Sequence, residues 1–225
     1  MGGLKQDWLQ LLKLAYSFLE HTGIPLTKWS WGGGTALRFY YSHRVSNDID
    51  IFLTDIQQLT HLSPRLNDYI KSRATSYTEM SNWIKIEIQD KEIDFIVAPN
   101  LTGLRPKLIK VQGIKLFIDN PVEIVTKKLF YRVESLKMRD LFDLTTVLLK
   151  YPKQADVETM SRIVCSKLDI LKDRFDFLKK HMKGELKKLE ILDTSTAAEI
   201  EKIVPLFLKR LENITDRSPG CGFSP

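Results

Sequence analysis

Between residues 31 and 52 the chain reads Trp31-Gly-Gly-Gly-Thr-Ala-Leu-Arg38 and then, after a short gap, His43-Arg-Val-Ser-Asn-Asp-Ile-Asp-Ile-Phe52. The glycine run follows a strand-like segment and precedes a short helical one. Backbone without Cβ atoms can turn tightly there and lie close to whatever faces it. The second half alternates Asp48, Ile49, Asp50, Ile51, the period of a strand with one buried face. Both carboxylates then share one side of the strand and both isoleucines the other. This order demands a strand, a glycine turn, a helix and a second strand.

The rest of the chain divides by hydrophobic period. Leu4, Trp8, Leu11, Leu12, Ala15 and Leu19 recur at helical spacing, and Thr22-Gly-Ile-Pro25 stops that helix. Short apolar or alternating runs over Thr27–Trp31, Asp48–Leu53, Trp83–Gln89, Glu92–Ala98 and Leu108–Phe117 predict strands, with turns at Gln89-Asp-Lys91 and Gln112-Gly113. Residues 56–70 predict a connecting helix interrupted at Pro64. Beyond Asn120 the strand signals stop. Helices are expected over 121–133 and 138–149, from Met160 to Leu189 with Gly184 as a break, and around Ile200–Leu211 with a kink at Pro205. The expected fold is α+β: a small mixed β-sheet flanked by helices over residues 1–119, an all-helical domain over 120–217 closing one side of a cleft, and a flexible tail over 218–225.

Charge permits a polyanionic partner without demanding one. Thirty-four Lys and Arg against 28 Asp and Glu leave +6. Before residue 120 there are 14 basic and 12 acidic residues, and after it 20 and 16, so the surplus is spread as +2 and +4. A local excess runs from Lys172 to Lys188, where seven basic residues meet three acidic ones. Such a run fits a solvated helix face or a surface that follows phosphates. No apolar run reaches the roughly 18–20 residues that cross a bilayer. The opening MGGLKQDW lacks the apolar core of a secretory signal. The expectation is a cytoplasmic protein with no membrane partner. Cys165 and Cys221 sit in unrelated contexts and suggest neither a disulfide nor a metal framework.

The glycine run has two readings, a tight structural connection or a place where backbone N–H groups meet phosphate oxygens at a helix N-terminus. It is neither a Walker loop, since no Gly-Lys-Ser/Thr follows, nor the Gly-x-Gly-x-x-Gly of a dinucleotide fold. Asp48 and Asp50, side by side on an otherwise apolar strand, repel each other, and burial sharpens the conflict. A divalent cation such as Mg²⁺ removes it and keeps coordination sites for phosphate and water. In Lys91-Glu-Ile-Asp-Phe-Ile-Val97, Glu92 and Asp94 take one face and Ile93, Phe95 and Val97 the other. If that strand lies beside the one carrying Asp48 and Asp50, Asp94 completes a set of three oxygen ligands suited to two-metal phosphoryl chemistry, and helps deprotonate an acceptor hydroxyl.

Together these residues carry a resemblance. Gly33-Gly34-Thr35, Arg44-x-Ser46 and Asp48-x-Asp50 resemble the signature of the DNA polymerase β-type nucleotidyltransferase superfamily. More narrowly, Gly-Gly-Thr-Ala-Leu followed by His-Arg-x-Ser-x-Asp-Ile-Asp is similar to the AbiEii/AbiGii toxin family. Pro121-Val-Glu-Ile-Val-Thr-Lys-Lys-Leu129 and Lys137-Met-Arg-Asp-Leu-Phe-Asp-Leu144 resemble its helical Glu-Ile-x-x-x-Lys-Leu and Arg-Asp-x-x-Asp-Leu segments. The match covers residues 31 to about 145; the remainder matches only as generic helices.

The resemblance implies a nucleotidyltransferase core, a nucleoside triphosphate substrate, Mg²⁺ or Mn²⁺, and transfer of a nucleoside monophosphate with release of diphosphate. Gly33, Gly34 and Thr35 would hold the triphosphate, with Arg44 and Ser46 ordering the adjoining loop and touching phosphate. Asp48, Asp50 and Asp94 would bind metal. Lys128, or its neighbour Lys127, would neutralise phosphate charge. Asp140 would be catalytic, with Asp143 or Arg139 fixing the helix packing. The nucleotide is expected between the two halves, with Lys128 and Asp140 reaching it from the helical side. The resemblance also implies a toxin of a toxin–antitoxin or phage-defence pair, with an antitoxin partner. The basic run at 172–188 makes an RNA such as tRNA the first expected acceptor and a protein hydroxyl the second. The alternatives are a silent binding module for RNA or a partner protein, and an antibiotic-type enzyme acting on small molecules. His43 is expected at the surface, Trp29 and Trp31 in packing, and Cys165 as a core thiol.

Overall fold

A computed structural model describes residues 7–217 of the chain. Leu4, Cys221 and the expected tail at 218–225 lie outside the described residues. The chain gathers into two compact units. One takes the chain up to Phe39 together with Ser46–Pro99 and Arg105–Asp119; the other takes Tyr40–Val45, Asn100–Leu104 and the chain from Asn120 onward.

The first unit holds a seven-stranded mixed sheet. Its strands are β1 (Trp29–Gly32), β2 (Ile49–Leu53), β3 (Ser76–Glu79), β4 (Trp83–Ile88), β5 (Lys91–Val97), β6 (Lys107–Val111) and β7 (Ile114–Ile118), in the order β3-β4-β5-β2-β1-β7-β6. Pairing is antiparallel except between β2 and β5 and between β1 and β7. The expected strands are present within one or two residues of their sequence bounds. β3 carried no strand signal, because an exposed edge strand buries no face and need not alternate. The turns closing β4–β5 and β6–β7 use left-handed backbone at Gln89 (φ 58°) and at Gln112 and Gly113 (φ 46° and 93°).

Helix α1 (Asp7–His21) buries Trp8, Leu11, Leu12, Ala15, Phe18 and Leu19 and packs on β2 and β5. Helix α2 (Gly33–Tyr41) starts on the glycine run. The connection expected over residues 56–70 is two short helices, α3 (Gln57–Leu62) and α4 (Asp68–Lys71). Pro64 follows the end of α3, since the residue before a proline avoids the helical region. Asn67 restarts the helix by accepting the backbone N–H groups of Tyr69 and Ile70.

The second unit is helical: α5 (Pro121–Tyr131), α6 (Met138–Lys150), α7 (Gln154–Val164), α8 (Leu168–Lys187) and α9 (Thr194–Arg217). Asn120 caps α5 by accepting from Val122 N, and Pro121 occupies the first turn, where its missing N–H is harmless. The apolar steps from Met160 to Leu189 form two helices joined by a 3-10 turn at Cys165–Lys167. Gly184 lies inside α8 and Pro205 inside α9 without ending either helix. The segment Tyr40–Val45 is stitched to residues 190–193: Val45 N donates to Glu190 O, and Leu192 N and Asp193 N both donate to His43 O. No described helix is long and apolar enough to cross a membrane.

Candidate active site

In the first unit the glycine run and the acidic strand meet closely. Strand β2 turns Ile49, Ile51 and Leu53 into the core, each fully buried, and leaves Asp50 on the opposite face. Gly33 has φ +70°, and a Cβ there would stand 1.7 Å from Asp50 Oδ2. Only glycine satisfies both conditions, because L-residues strain at positive φ and no side chain fits against the carboxylate. The loop before β2 is tied to α2: Thr35 Oγ1 donates to Asp48 O (2.6 Å) and lies 3.1 Å from Ser46 Oγ. Arg38 Nη1 donates to Ser46 O and to Asn47 Oδ1. The hydroxyls of Thr35 and Ser46 thus brace the loop that carries Asp48. Arg38, which the sequence reading left without a role, shares this task.

Asp94 stands beside this strand. The parallel β2–β5 pairing sets Asp50 opposite Asp94 and Ile51 opposite Phe95, so the carboxylates share one face while the apolar side chains share the other. Asp48 Oδ1 accepts from Glu92 N at 3.3 Å. Lys85, opposite Asp94 on β4, gives its ammonium to Glu92 at 2.6 Å. Asp94 Oδ1 is buried and has no hydrogen-bond partner. Burial first, then the negative charge of Asp50, push its carboxyl up to about 7 against the opposing pull of Lys85. A buried orphan carboxylate oxygen beside a second carboxylate is the donor chemistry that a divalent cation takes, so these residues fit such an ion. They share a face without forming a closed cage: among the described residues no group of three or more His, Cys, Asp or Glu side chains is arranged to hold a metal.

The second unit contains a buried charged network centred on Asp143, which is fully buried. Arg44 Nε and Nη2 donate to its two oxygens at 2.7 and 2.8 Å, His43 Nε2 lies 2.7 Å from Oδ1, and Lys128 Nζ donates to Oδ2 at 2.7 Å. Lys128 Nζ also donates to Asp140 Oδ1 at 2.9 Å, and Asp140 Oδ2 accepts from Lys137 N at the start of α6. Burial alone would raise both carboxyls. The charges of Arg44 and Lys128, with hydrogen bonds from His43 and Arg44, outweigh it and hold Asp143 well below the usual carboxylate range. Lys128 and then Arg132 do the same, less strongly, for Asp140.

This geometry revises one expectation and gives other named residues their partners. His43 is not a surface histidine: it is fully buried and stacks on Phe142. Arg44 faces Asp143 and the Val45 carbonyl, with 4% of its surface exposed. Lys128 is only 8% exposed and already matched by two carboxylates. Lys127 lies 3.4 Å from Glu123. Glu123, the glutamate of the Glu-Ile-x-x-x-Lys-Leu segment, is a further buried acid; it accepts from Leu101 N, Thr102 N and Thr102 Oγ1 and so fastens the segment Asn100–Leu104 to α5. Asp143 matters more than its motif position suggested. The structure therefore brings together Gly33, Asp50 and Asp94 with the Thr35–Ser46–Asp48 brace in one unit, and Arg44, Lys128, Asp140 and Asp143 in the other.

Three solved structures share the fold. A candidate nucleotidyltransferase from H. pylori is 21% identical with a TM-score of 0.51, and the alignment covers 94% of this chain and 99% of that one. The solution structure of the antibiotic-resistance factor ANT(2")-Ia is 15% identical with a TM-score of 0.51, covering 78% and 96%. ANT(2")-Ia in complex with adenylyl-2"-tobramycin is 14% identical with a TM-score of 0.50, covering 68% and 94%. Among curated proteins no sequence match was found. The family model described as the nucleotidyl transferase AbiEii toxin of Type IV toxin–antitoxin systems matches residues 26–210, well over half of the chain, and takes in both the glycine–aspartate half and the helical half. The chain belongs to the AbiEii nucleotidyltransferase toxin family.

Proposed function

We propose that this protein transfers a nucleoside monophosphate from a nucleoside triphosphate to an acceptor hydroxyl, releasing diphosphate, with a divalent cation (Mg²⁺ or Mn²⁺) held by Asp48, Asp50 and Asp94. The observation that carries the reading is the in-register pair Asp50–Asp94 with its orphaned, buried Asp94 oxygen. Two adjacent carboxylates and an unpartnered oxygen are costly to a fold unless something electropositive is meant to come between them. Bound there, a divalent cation would screen the triphosphate and stabilise charge developing at phosphorus.

The chain's own groups supply the rest. Backbone N–H groups at the start of α2, freed of side chains by Gly33 and Gly34, face phosphate oxygens. Thr35, Ser46 and Arg38 keep the Asp48 loop in place. Asp94, at the same face, would help take the proton from the attacking hydroxyl. The new O–P bond forms as the bond to diphosphate breaks. Lys128, Asp140, Asp143 and Arg44 act as positioning residues, since their charges are spent on one another.

The acceptor we favour is RNA, with a protein hydroxyl second, and the role is that of the toxin in a toxin–antitoxin or phage-defence pair with an antitoxin as partner. The test uses purified protein, Mg²⁺, each α-³²P-labelled nucleoside triphosphate in turn, and total RNA plus protein as acceptors. Label on an RNA or protein band, lost in Asp48→Ala/Asp50→Ala, is the expected result. Folded protein that labels nothing with any nucleotide in the presence of Mg²⁺ or Mn²⁺ overturns it.

A further inference from the structure

The C-terminal half of α8 presents an unusual surface. From Phe177 to Lys188 there are five lysines (Lys179, Lys180, Lys183, Lys187 and Lys188) and one acid, Glu185, which is engaged by Lys188. All five lysines are exposed. The apolar stripe of this helix, Leu171, Phe175, Leu178 and Met182, is buried in the unit. Phe177 is not part of it and keeps 52% of its surface exposed. A lone exposed apolar residue is ordinary, but this ring is held in place. The Arg174 guanidinium lies 4.8 Å from the Phe177 ring centroid and is anchored by donating through Nε to Leu136 O at 2.7 Å. The His181 ring stands 5.2 Å from it on the next turn, with Nδ1 3.1 Å from Phe177 O. The C-terminal half of the same helix shapes a shallow cavity of about 430 Å³ among Lys179, Lys180, Lys183 and Lys188, with Glu185 and Glu201 also on its lining.

We infer that this face of α8 binds single-stranded RNA, with Phe177 stacking on an unpaired base and the lysines following the phosphates. The inference deepens the RNA-acceptor reading above and rests on it. Electrostatic attraction alone would suit any polyanion, including an acidic protein. The braced, exposed ring favours RNA, because an unpaired base offers a flat π-face to an aromatic flanked by cationic groups and an acidic peptide does not. Aromatic stacking interleaved with a basic track is how proteins hold unpaired nucleic acid without reading its sequence.

The test is fluorescence anisotropy of the full chain with a labelled single-stranded RNA of about 12 nucleotides, within the usual site-size range, across a salt series. Polyglutamate serves as competitor. Lys180→Gln/Lys183→Gln/Lys187→Gln should reduce the slope of log K against log salt by about 2, since each lysine removed from a single strand accounts for roughly 0.7. Phe177→Ala should weaken RNA binding about tenfold or more, the worth of one stacked base, while leaving polyglutamate binding unchanged. All these side chains are exposed, and thermal melting confirms that the variants fold. Unchanged RNA affinity or salt slope in the triple variant, or undiminished RNA affinity in Phe177→Ala, overturns the proposal. The same variants are run in the labelling assay. RNA binding without any label transfer by the wild type counts against the transferase reading alone, and transfer to RNA that both variants leave intact counts against the α8 surface alone.

Discussion

At the residue scale the sharpest constraints are Gly33 and Asp94. Gly33→Ala forces a Cβ to within 1.7 Å of the Asp50 carboxylate at a positive φ. Gly103 shares the positive φ (+71°) but has open space around it, so Gly103→Ala measures the backbone strain by itself, about 1–2 kcal/mol. Gly33→Ala should cost at least about 2 kcal/mol more, and urea unfolding of the two variants side by side checks this. Asp94, with its carboxyl near 7, must lose its proton before it can ligate a cation. Divalent-ion affinity should therefore fall by up to about tenfold per pH unit below 7, one proton being displaced per ion. Calorimetric titration of Mn²⁺ at several pH values would show it, and Asp94→Asn should bind weakly with that pH dependence gone.

At the scale of elements, the α5–α6 pair is joined by charge as well as by apolar contact. Val122, Val125 and Leu129 on α5 and Leu141, Phe142 and Leu144 on α6 are buried in the usual way. Lys128 then bridges Asp140 and Asp143 between the two helices. Removing one member of a buried ion network leaves its partners desolvated and unpaired, which commonly costs about 3–5 kcal/mol. Lys128→Met should destabilise the fold by that order, because Asp140 loses its nearest cation and Asp143 one of its three side-chain partners. Adding Asp140→Asn to Lys128→Met should recover part of the loss. Thermal or urea unfolding of the single and double variants measures the coupling. A Lys128 that acted only on substrate would leave stability unchanged.

At the scale of the whole molecule, the two units should respond to pH in opposite directions. Asp140 and Asp143 are held below their ordinary values. An unfolded chain takes up their protons first, so their contribution is complete above about pH 4 and is lost as pH falls through their lower folded values. Asp94 is raised to about 7. The folded state there binds the proton more tightly than the unfolded one, so stability is highest below about pH 4 and declines as pH climbs toward 7. Hydrogen exchange should accordingly show α5 and α6 loosening on acidification below pH 4, while β2 and β5 gain protection between pH 7 and 5. A saturating divalent cation should restore β2 and β5 at pH 7 and leave α5 and α6 unmoved. A uniform response of both units would sink this account.

What the sequence determined by itself was everything written in local spacing. Alternation of Asp48, Ile49, Asp50 and Ile51 requires a two-faced strand, the run Gly32–Gly34 marks a tight turn before a helix, and period 3.6 beyond Asn120 requires helices; each follows from geometry over a few residues. The motifs combined with that spacing were enough to point to the family. Only the tertiary structure decided the rest, because burial and pairing depend on residues far apart in the chain. Strand register brought Asp94 against Asp50 from 44 positions away, and packing put Arg44 and His43 onto Asp143 across 99 and 100 positions. A histidine or arginine next to an acidic strand carries no local mark of burial, so these two read as loop and surface residues. Once desolvated together, opposite charges must find one another or destabilise the fold, and that long-range requirement is what made Asp143 a hub.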